Sequence, residues 1–201
     1  MILGHSIMQG AQCCGRVHPF DERHVERDWW PSTLRLLIVG ETPSPNSAYF
    51  YDPIPEHGPD SVGVRRNLLG GLAQRSLIAA PSLAAFKEAG LLFDHAVRCR
   101  LSKAETKRER RRARHLASER AHRGYHLSRA LREAGKVWIM GWLALDAVAR
   151  ARGLGALPSV SVGVNPPRAI TEKFFVSRYL LHASRAEMAD ILDRFRAFVA
   201  A

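Results

Sequence analysis

Four short apolar runs, separated by segments of helical periodicity, dominate the hydrophobic pattern of this chain. Runs of this length and composition are typical of strands buried on both faces of a sheet. The predicted strands are residues 36–39, 91–99, 136–140 and 174–181. Between and after them, apolar residues recur at helical spacing, and this spacing predicts helices. The predicted helices are residues 62–75, 82–89, 103–133, 142–150 and 184–199.

The alternation of strands and helices predicts the fold class. Such an order builds a parallel sheet through right-handed crossovers, with helices on both faces. We therefore predict an α/β fold, a three-layer α/β/α sandwich with a central four-stranded parallel sheet. The 201 residues are enough for one domain, and we find no linker that divides them. The prediction is a single domain over residues 1–201, with residues 1–33 as an N-terminal arm packed on it.

The first predicted strand ends in a loop that carries candidate chemistry. Residues 40–53, GETPSPNSAYFYDP, begin with a glycine and a carboxylate and include three aromatic side chains. Open α/β sheets bind their ligands just beyond the carboxyl ends of the strands, so this loop is a candidate ligand site. The second strand contains Asp94 and His95 in an otherwise apolar run. Polar groups in a buried strand either have satisfied partners or belong to a site.

The charge of the chain indicates an anionic partner. Net charge is +11, with a sequence pI near 10.4, which favours nucleic acid first and an anionic membrane surface second. Two capping boxes predict helix starts, Ser102 with Glu105 and Ser184 with Glu187. The first of these helices begins with the basic run KAETKRERRRARH at residues 103–115. Such a run is commonly a solvated face, but cations at i,i+4 repel each other, and this favours phosphate contact. The predicted DNA-binding cations in it are Lys107, Arg108, Arg110, Arg111, Arg112 and Arg114.

The remaining compositional features indicate the compartment. No apolar run approaches the ~18 residues of a membrane span, and the N-terminus lacks the features of a secretory signal. Three cysteines, Cys13, Cys14 and Cys99, are too few for a disulfide framework. We expect a cytoplasmic protein without membrane contact.

Four motifs, taken in order, resemble those of the uracil-DNA glycosylase superfamily. They are GETPS from Gly40, DHAVRCRL from Asp94, VWIMGWLALDAV from Val137 and HASR from His182, with Phe50 soon after the first. The iron–sulfur-containing bacterial and archaeal branch is the nearest, where the first, second and last motifs read like GEAPG, TNVVKCRPP and HPS. The resemblance covers about residues 34–199. It implies a monofunctional enzyme of base excision repair, which flips uracil out of DNA and hydrolyses its N-glycosidic bond to leave an abasic site.

The resemblance also implies roles for individual residues. Glu41 and His182 would be catalytic: the carboxylate would position or activate water, and the imidazole would stabilise the leaving uracil anion. Phe50 would stack on the flipped base. The other implied substrate-binding residues are Gly40, Thr42, His95 and Ser184, and Arg185 would contact DNA.

The chain departs from the family pattern in three places. His95 stands where the family has an asparagine that reads the uracil edge, and an imidazole cannot reproduce the paired donor and acceptor of an amide. HASR lacks the proline of HPS. The family branch holds a [4Fe–4S] cluster with four cysteines, whereas only Cys99 matches here, so we expect no cofactor.

His122 and His126 are spaced i,i+4 without a third ligand, and we predict no metal site.

Two alternative functions remain open from the sequence. The first is a non-catalytic module of the same fold that binds nucleic acid or a lesion. The second is a hydrolase of free nucleosides or nucleotides, which the charge disfavours because a small monoanion does not need an arginine-rich helix. We prefer the glycosylase over both alternatives, and the expected partner is uracil-containing DNA, bound by a monomer.

Overall fold

A five-stranded sheet forms the centre of the fold in the computed structural model, which describes residues 18–43, 48–53, 63–98, 121–150, 164 and 166–201. The strand order is β2-β1-β3-β5-β4. The first three and β5 are parallel, and β4 runs antiparallel to β5. The strands are β1 Leu36–Gly40, β2 Leu91–His95, β3 Lys136–Met140, β4 Arg168–Ala169 and β5 Phe174–Ser177.

The α/β class is therefore confirmed, while the count of four strands was wrong. The four predicted strands are the four parallel ones, and β4 is an addition at the edge. Two residues are too short to show any periodicity, and this is why the pattern did not predict β4. Two strands are also shorter than predicted, since β2 ends at His95 and β5 at Ser177.

The helices that follow β1 occupy the predicted segments with small shifts at their ends, and the long basic helix is described only from Ala121. Two short helices, Pro19–Glu22 and Val25–Asp28, lie in the N-terminal arm, where no helix was predicted. Ser82 caps the helix that begins at Leu83 by accepting a hydrogen bond from the Ala85 N–H at 3.1 Å. The capping box of Ser184 and Glu187 is confirmed at the start of the last helix. The helices are α1 Pro19–Glu22, α2 Val25–Asp28, α3 Gly63–Gln74, α4 Leu83–Glu88, α5 Ala121–Glu133, α6 Trp142–Arg150 and α7 Arg185–Ala200, with a 3₁₀ turn at Leu180–His182.

Several predictions fall outside the described residues. These are the first part of the long basic helix with its capping box and the three cysteines. The side chains of His122 and His126 are likewise outside the description. The predicted DNA-binding cations that lie there are Lys107, Arg108, Arg110, Arg111, Arg112 and Arg114.

Right-handed crossovers place the helices on opposite faces of the sheet. The chain moves from β1 in one direction to β2 through α3 and α4, and then returns past β1 to β3 through α5. On the α3 face, Phe195 of α7 stacks on Trp138 with ring centroids 4.3 Å apart. Gly71 of α3 lies so close to α7 that a Cβ there would be 2.4 Å from Leu192 Cδ1.

This topology creates a switch point between β1 and β3. The two strands are neighbours, but the chain leaves the carboxyl end of β1 toward one face and that of β3 toward the other. Loops that diverge in this way open a crevice, which is where open α/β sheets bind their ligands.

The described part of the N-terminal arm is held by its two tryptophans. Trp29 packs against Tyr51 with ring centroids 5.7 Å apart. The Trp30 Nε1 donates a hydrogen bond to Glu133, and the Arg129 guanidinium lies 4.7 Å from the Trp30 ring centroid.

Across the described ranges, no helix has the length and apolar character needed to cross a membrane.

Candidate active site

The carboxylate of Glu41 lies at the switch point. Glu41 directly follows β1 and is only 6% exposed. Its Oε1 accepts a hydrogen bond from the backbone N–H of Leu143 at 3.1 Å. Leu143 belongs to the first turn of α6, whose N–H groups lack partners within the helix and carry partial positive charge. The start of α6 therefore holds the carboxylate between the ends of β1 and β3.

Gly141, between β3 and α6, makes room for this carboxylate. Its φ of +94° lies in a region that side chains rarely adopt, and a Cβ there would be 2.6 Å from Glu41 Oε1. Conformation and close approach both require glycine here. The turn between β3 and α6 is thus shaped around the carboxylate of Glu41.

Gly40, the last residue of β1, lies against three aromatic rings. A Cβ on Gly40 would lie 3.3 Å from His95 Cδ2, 3.3 Å from Tyr179 Cε2 and 3.0 Å from Phe93 Cζ. Gly40 is also paired with His95 in the parallel register of β1 and β2. The absence of a side chain therefore lets an imidazole and a phenol pack against the end of β1.

His95 is 5% exposed and surrounded by aromatic rings. It meets Phe93 edge-on at a centroid distance of 4.9 Å and lies 5.7 Å from the ring of Tyr49. The Tyr49 hydroxyl is buried and, among the residues described, has no hydrogen-bond partner. Burial and then the nearby Asp94 raise the pKa of Tyr49, so this hydroxyl stays protonated.

Asp94 forms a buried ion pair that anchors the end of β2. Its carboxylate accepts two hydrogen bonds from Arg98, at 2.6 and 3.1 Å, and one from the His95 N–H at 2.7 Å. The Arg98 guanidinium lies 3.4 Å from the ring centroid of Phe20 in α1. Burial works to lower the pKa of Arg98, but Asp94 outweighs it and the pKa is raised. Asp94 thus has satisfied partners and positions the backbone of His95.

Phe50 lies in the core beside the site. It is 1% exposed and stacks on Phe93 with centroids 4.5 Å apart and an interplanar angle of 23°. Arg65 holds the loop by donating hydrogen bonds to the carbonyl oxygens of Phe50 and Asp52 at 3.0 and 2.5 Å. One face of the Phe50 ring is already covered by Phe93, and its role as a platform for a base stays a prediction.

His182 lies at the exposed rim of the site. It ends the 3₁₀ turn after β5, and its ring centroid is 5.9 Å from that of Tyr179. Burial, and next the negative charge of Glu41, raise the pKa of Tyr179. Tyr179 therefore interacts with both Glu41 and His182.

The remaining predicted residues surround this cluster. Thr42 directly follows Glu41 and is half-buried. Ser184 is exposed, and its hydroxyl accepts the Glu187 N–H in the capping box. Arg185, the first residue of α7, is exposed. The substrate and DNA contacts predicted for these three residues stay predictions.

The structure brings Gly40, Glu41 and His95 together and connects them to His182 through Tyr179. Two further residues of the site, Tyr179 and Gly141, were not predicted from the sequence. Tyr179 was placed inside a strand that in fact ends at Ser177, and a shorter strand would have placed it in the loop beside His182. Gly141 was visible as the glycine between a strand and a helix, but its contact with Glu41 depends on the tertiary fold.

Over the described residues, no three His, Cys, Asp or Glu side chains are grouped closely enough to hold a metal ion. Comparison of the chain with protein-family models, with curated proteins and with solved structures found no match.

Proposed function

We propose that this protein is a monofunctional DNA glycosylase, which extrudes uracil from DNA and hydrolyses its N-glycosidic bond. The observation that carries the proposal is the buried carboxylate of Glu41, held by α6 at the switch point. His95 lies against the neighbouring Gly40, and His182 lies against Tyr179, which also approaches Gly40. The motif order GETPS, DHAVRCRL and HASR supports the same reaction.

Glu41 supplies the negative charge that the reaction needs on the sugar side. Cleavage of an N-glycosidic bond leaves positive charge on the sugar and negative charge on the base. A buried carboxylate acts through a medium of low dielectric, where its attraction for the sugar cation is stronger than in water. The same carboxylate orients the attacking water and takes up its proton.

His182 supplies a donor for the departing base. An imidazole N–H directed at a base oxygen stabilises the anion that forms there, and one such donor is worth about 3 kcal/mol in comparable sites. His95 can donate one hydrogen bond and accept another, which suits a base edge that presents both kinds of group. With His182 exposed and His95 buried, the two imidazoles lie at different depths. An extruded base that enters from the surface would meet His182 first.

The net charge of +11 supports DNA as the substrate. A base inside a duplex is unreachable, and its extrusion costs a few kcal/mol that backbone contacts must offset. Arg185 is exposed beside His182, and the basic run at residues 103–115 supplies further cations. Neutralising Arg110, Arg111 and Arg112 should weaken binding and flatten its dependence on salt.

Uracil release from single- and double-stranded oligonucleotides tests the proposal directly. Glu41→Gln keeps an acceptor for the Leu143 N–H but removes the charge, so turnover should fall about a hundredfold or more while DNA binding persists. Glu172→Gln is the matched control, because Glu172 is exposed in the turn between β4 and β5 and precedes the amino end of β5. It should leave turnover unchanged.

Two other results would each replace the proposal. Salt-sensitive binding of DNA without any base release would identify a non-catalytic lesion-binding module. Hydrolysis of free nucleosides or nucleotides, with none of DNA, would identify a small-molecule hydrolase.

A further inference from the structure

Trp142 differs from the other tryptophans of the chain. Trp29 packs on Tyr51, Trp30 bonds to Glu133, and Trp138 stacks on Phe195. The Trp142 side chain, by contrast, is 45% exposed, and within the described part of the chain it has no ring, cation or hydrogen-bond partner. It is also the one large hydrophobic residue among those described that is exposed. Packing therefore does not account for an indole at this position.

The position of Trp142 is fixed relative to Glu41. It is the first residue of α6 and lies between Gly141, which contacts the carboxylate, and Leu143, whose N–H bonds to it. Both neighbours are one residue away, and consecutive Cα atoms are about 3.8 Å apart. Trp142 therefore lies beside the candidate site, on a backbone that contacts Glu41 on both sides of it, and its indole is exposed there.

We propose that Trp142 stacks on a nucleobase of the DNA strand that enters the site, in the nucleotide next to the one at Glu41. The residues on both sides of Trp142 contact Glu41, so a base stacked on the indole comes from a nucleotide close to the one whose sugar faces the carboxylate. Every base has a π-face, so an indole can stack on any of them without reading sequence. The inference rests on the proposed function, because it takes DNA as the substrate.

The charge of the chain favours a nucleobase over other occupants of this surface. An anionic strand is attracted by the net charge of +11, and Arg185 is exposed as the first residue of α7, which follows β5 at the same edge of the sheet. Attraction of the backbone brings the bases of a single strand within reach of the rim. Stacking then adds an attractive interaction that does not depend on charge.

Affinity for a single-stranded, uracil-containing oligonucleotide tests the inference. The full chain is measured on the Glu41→Gln background, so that no base is released during the measurement. Trp142→Ala should weaken binding about tenfold, which corresponds to the loss of one stacked base. Trp142→Leu keeps an apolar side chain without a π-face and should lose nearly as much, whereas Trp142→Phe should lose less. Trp30→Ala is the control, and it should leave affinity unchanged because Trp30 precedes the amino end of β1.

Two further readouts make the test specific. The salt dependence of binding should be the same in all the Trp142 variants, since the indole contacts no phosphate. When the nucleotides flanking uracil are replaced by abasic residues, wild-type Trp142 and Trp142→Ala should bind equally. A melting temperature for each variant separates misfolding from lost contact, and Trp142→Phe and Trp142→Leu provide the comparison if Trp142→Ala does not fold.

Equal affinity of wild-type Trp142 and both Trp142→Ala and Trp142→Leu would overturn the inference. So would a loss of affinity that persists with abasic flanks, or a protein that does not bind DNA at all. Failure of the proposed function is seen separately, as the absence of uracil release by the chain with Glu41 in place.

Discussion

The side chain of Glu41 and the backbone N–H of Leu143 are joined by a 3.1 Å hydrogen bond across 102 positions of sequence. This bond connects the loop after β1 to the first turn of α6, which follows β3. The carboxylate is therefore positioned by two neighbouring strands rather than by its own loop alone. Groups held on rigid elements keep their geometry better than groups on loops, which is what a catalytic carboxylate requires.

Gly141→Ala should disturb this arrangement directly. The new Cβ would lie 2.6 Å from Glu41 Oε1, and the backbone has a φ of +94°. We expect a loss of about 1–3 kcal/mol in the free energy of unfolding from the backbone strain. We also expect slower uracil release, because the carboxylate must move. Chemical denaturation and initial rates measure the two effects.

Gly70→Ala is the matched control for that substitution. Gly70 lies within α3, and a Cβ there would meet nothing within 4 Å. The change should therefore stabilise the protein by about 0.5–1 kcal/mol and leave the rate of uracil release unchanged. Equal changes in stability and in the rate of uracil release for both glycine variants would contradict the close contact that we describe between Gly141 and Glu41.

Tyr179 should act through its ring and not through its ionisation. Burial and Glu41 hold the pKa of Tyr179 above its ordinary value of 10.0, so the phenol is neutral below that pH. Tyr179→Phe should thus release uracil with a pH profile parallel to that of the wild type below pH 10. Tyr179→Ala should be slower, since the ring that packs against Gly40 and His182 is lost. A change in the shape of the pH profile in Tyr179→Phe would assign an ionisation to this residue and contradict the prediction.

Arg98→Met should be among the most destabilising substitutions near the site. It leaves the buried carboxylate of Asp94 without its cation, and removing one partner of a buried pair costs about 3–5 kcal/mol. Arg194→Met breaks an exposed i,i+4 pair with Asp190 in α7 and should cost less than about 1 kcal/mol. Urea denaturation compares the two, and losses of equal size would show that Asp94 does not depend on Arg98.

The start of α7 should respond to acid through Glu187. Hydrogen bonds from the backbone and side chain of Ser184 lower the pKa of Glu187 from its ordinary value of 4.5. A group whose pKa is lower in the folded state contributes stability that is present above its unfolded pKa and is lost as pH falls through the folded pKa. Glu187→Gln keeps a capping side chain without charge. The stability advantage of the wild type over Glu187→Gln should shrink as pH falls below 4.5. Denaturation measured at a series of pH values checks this. An advantage that stays constant below pH 4.5 would argue against the charge effect.

The sequence predicted the parallel sheet because each of its strands is a separate apolar run. The strand Lys136–Met140 and the helix Trp142–Arg150 were predicted with the bounds that the structure has. The end of β5 was not predicted. Apolar residues continue to Leu181, and this hides the end of the strand at Ser177. The Ser177 hydroxyl accepts a hydrogen bond from Trp138 Nε1 at 2.9 Å. This contact joins two neighbouring strands and cannot be predicted from the local sequence.

The candidate site was predicted in part for the same reason. Glu41 and His95 follow or end adjacent strands, so a parallel sheet alone brings them to one edge. The contacts that position the carboxylate could not be predicted, because they depend on a positive φ at Gly141 and on the start of α6 lying close to the end of β1. Tyr179 was missed because its place depends on where β5 ends.

The short strand β4 also has a consequence for the chain in solution. It covers one side of β5, and it presents only two residues, one of them Arg168, directly after Pro166 and Pro167. Prolines lack the N–H that an incoming strand would pair with, and a charged, two-residue edge is a poor template for strand addition. On this side, the sheet is closed against edge-to-edge aggregation.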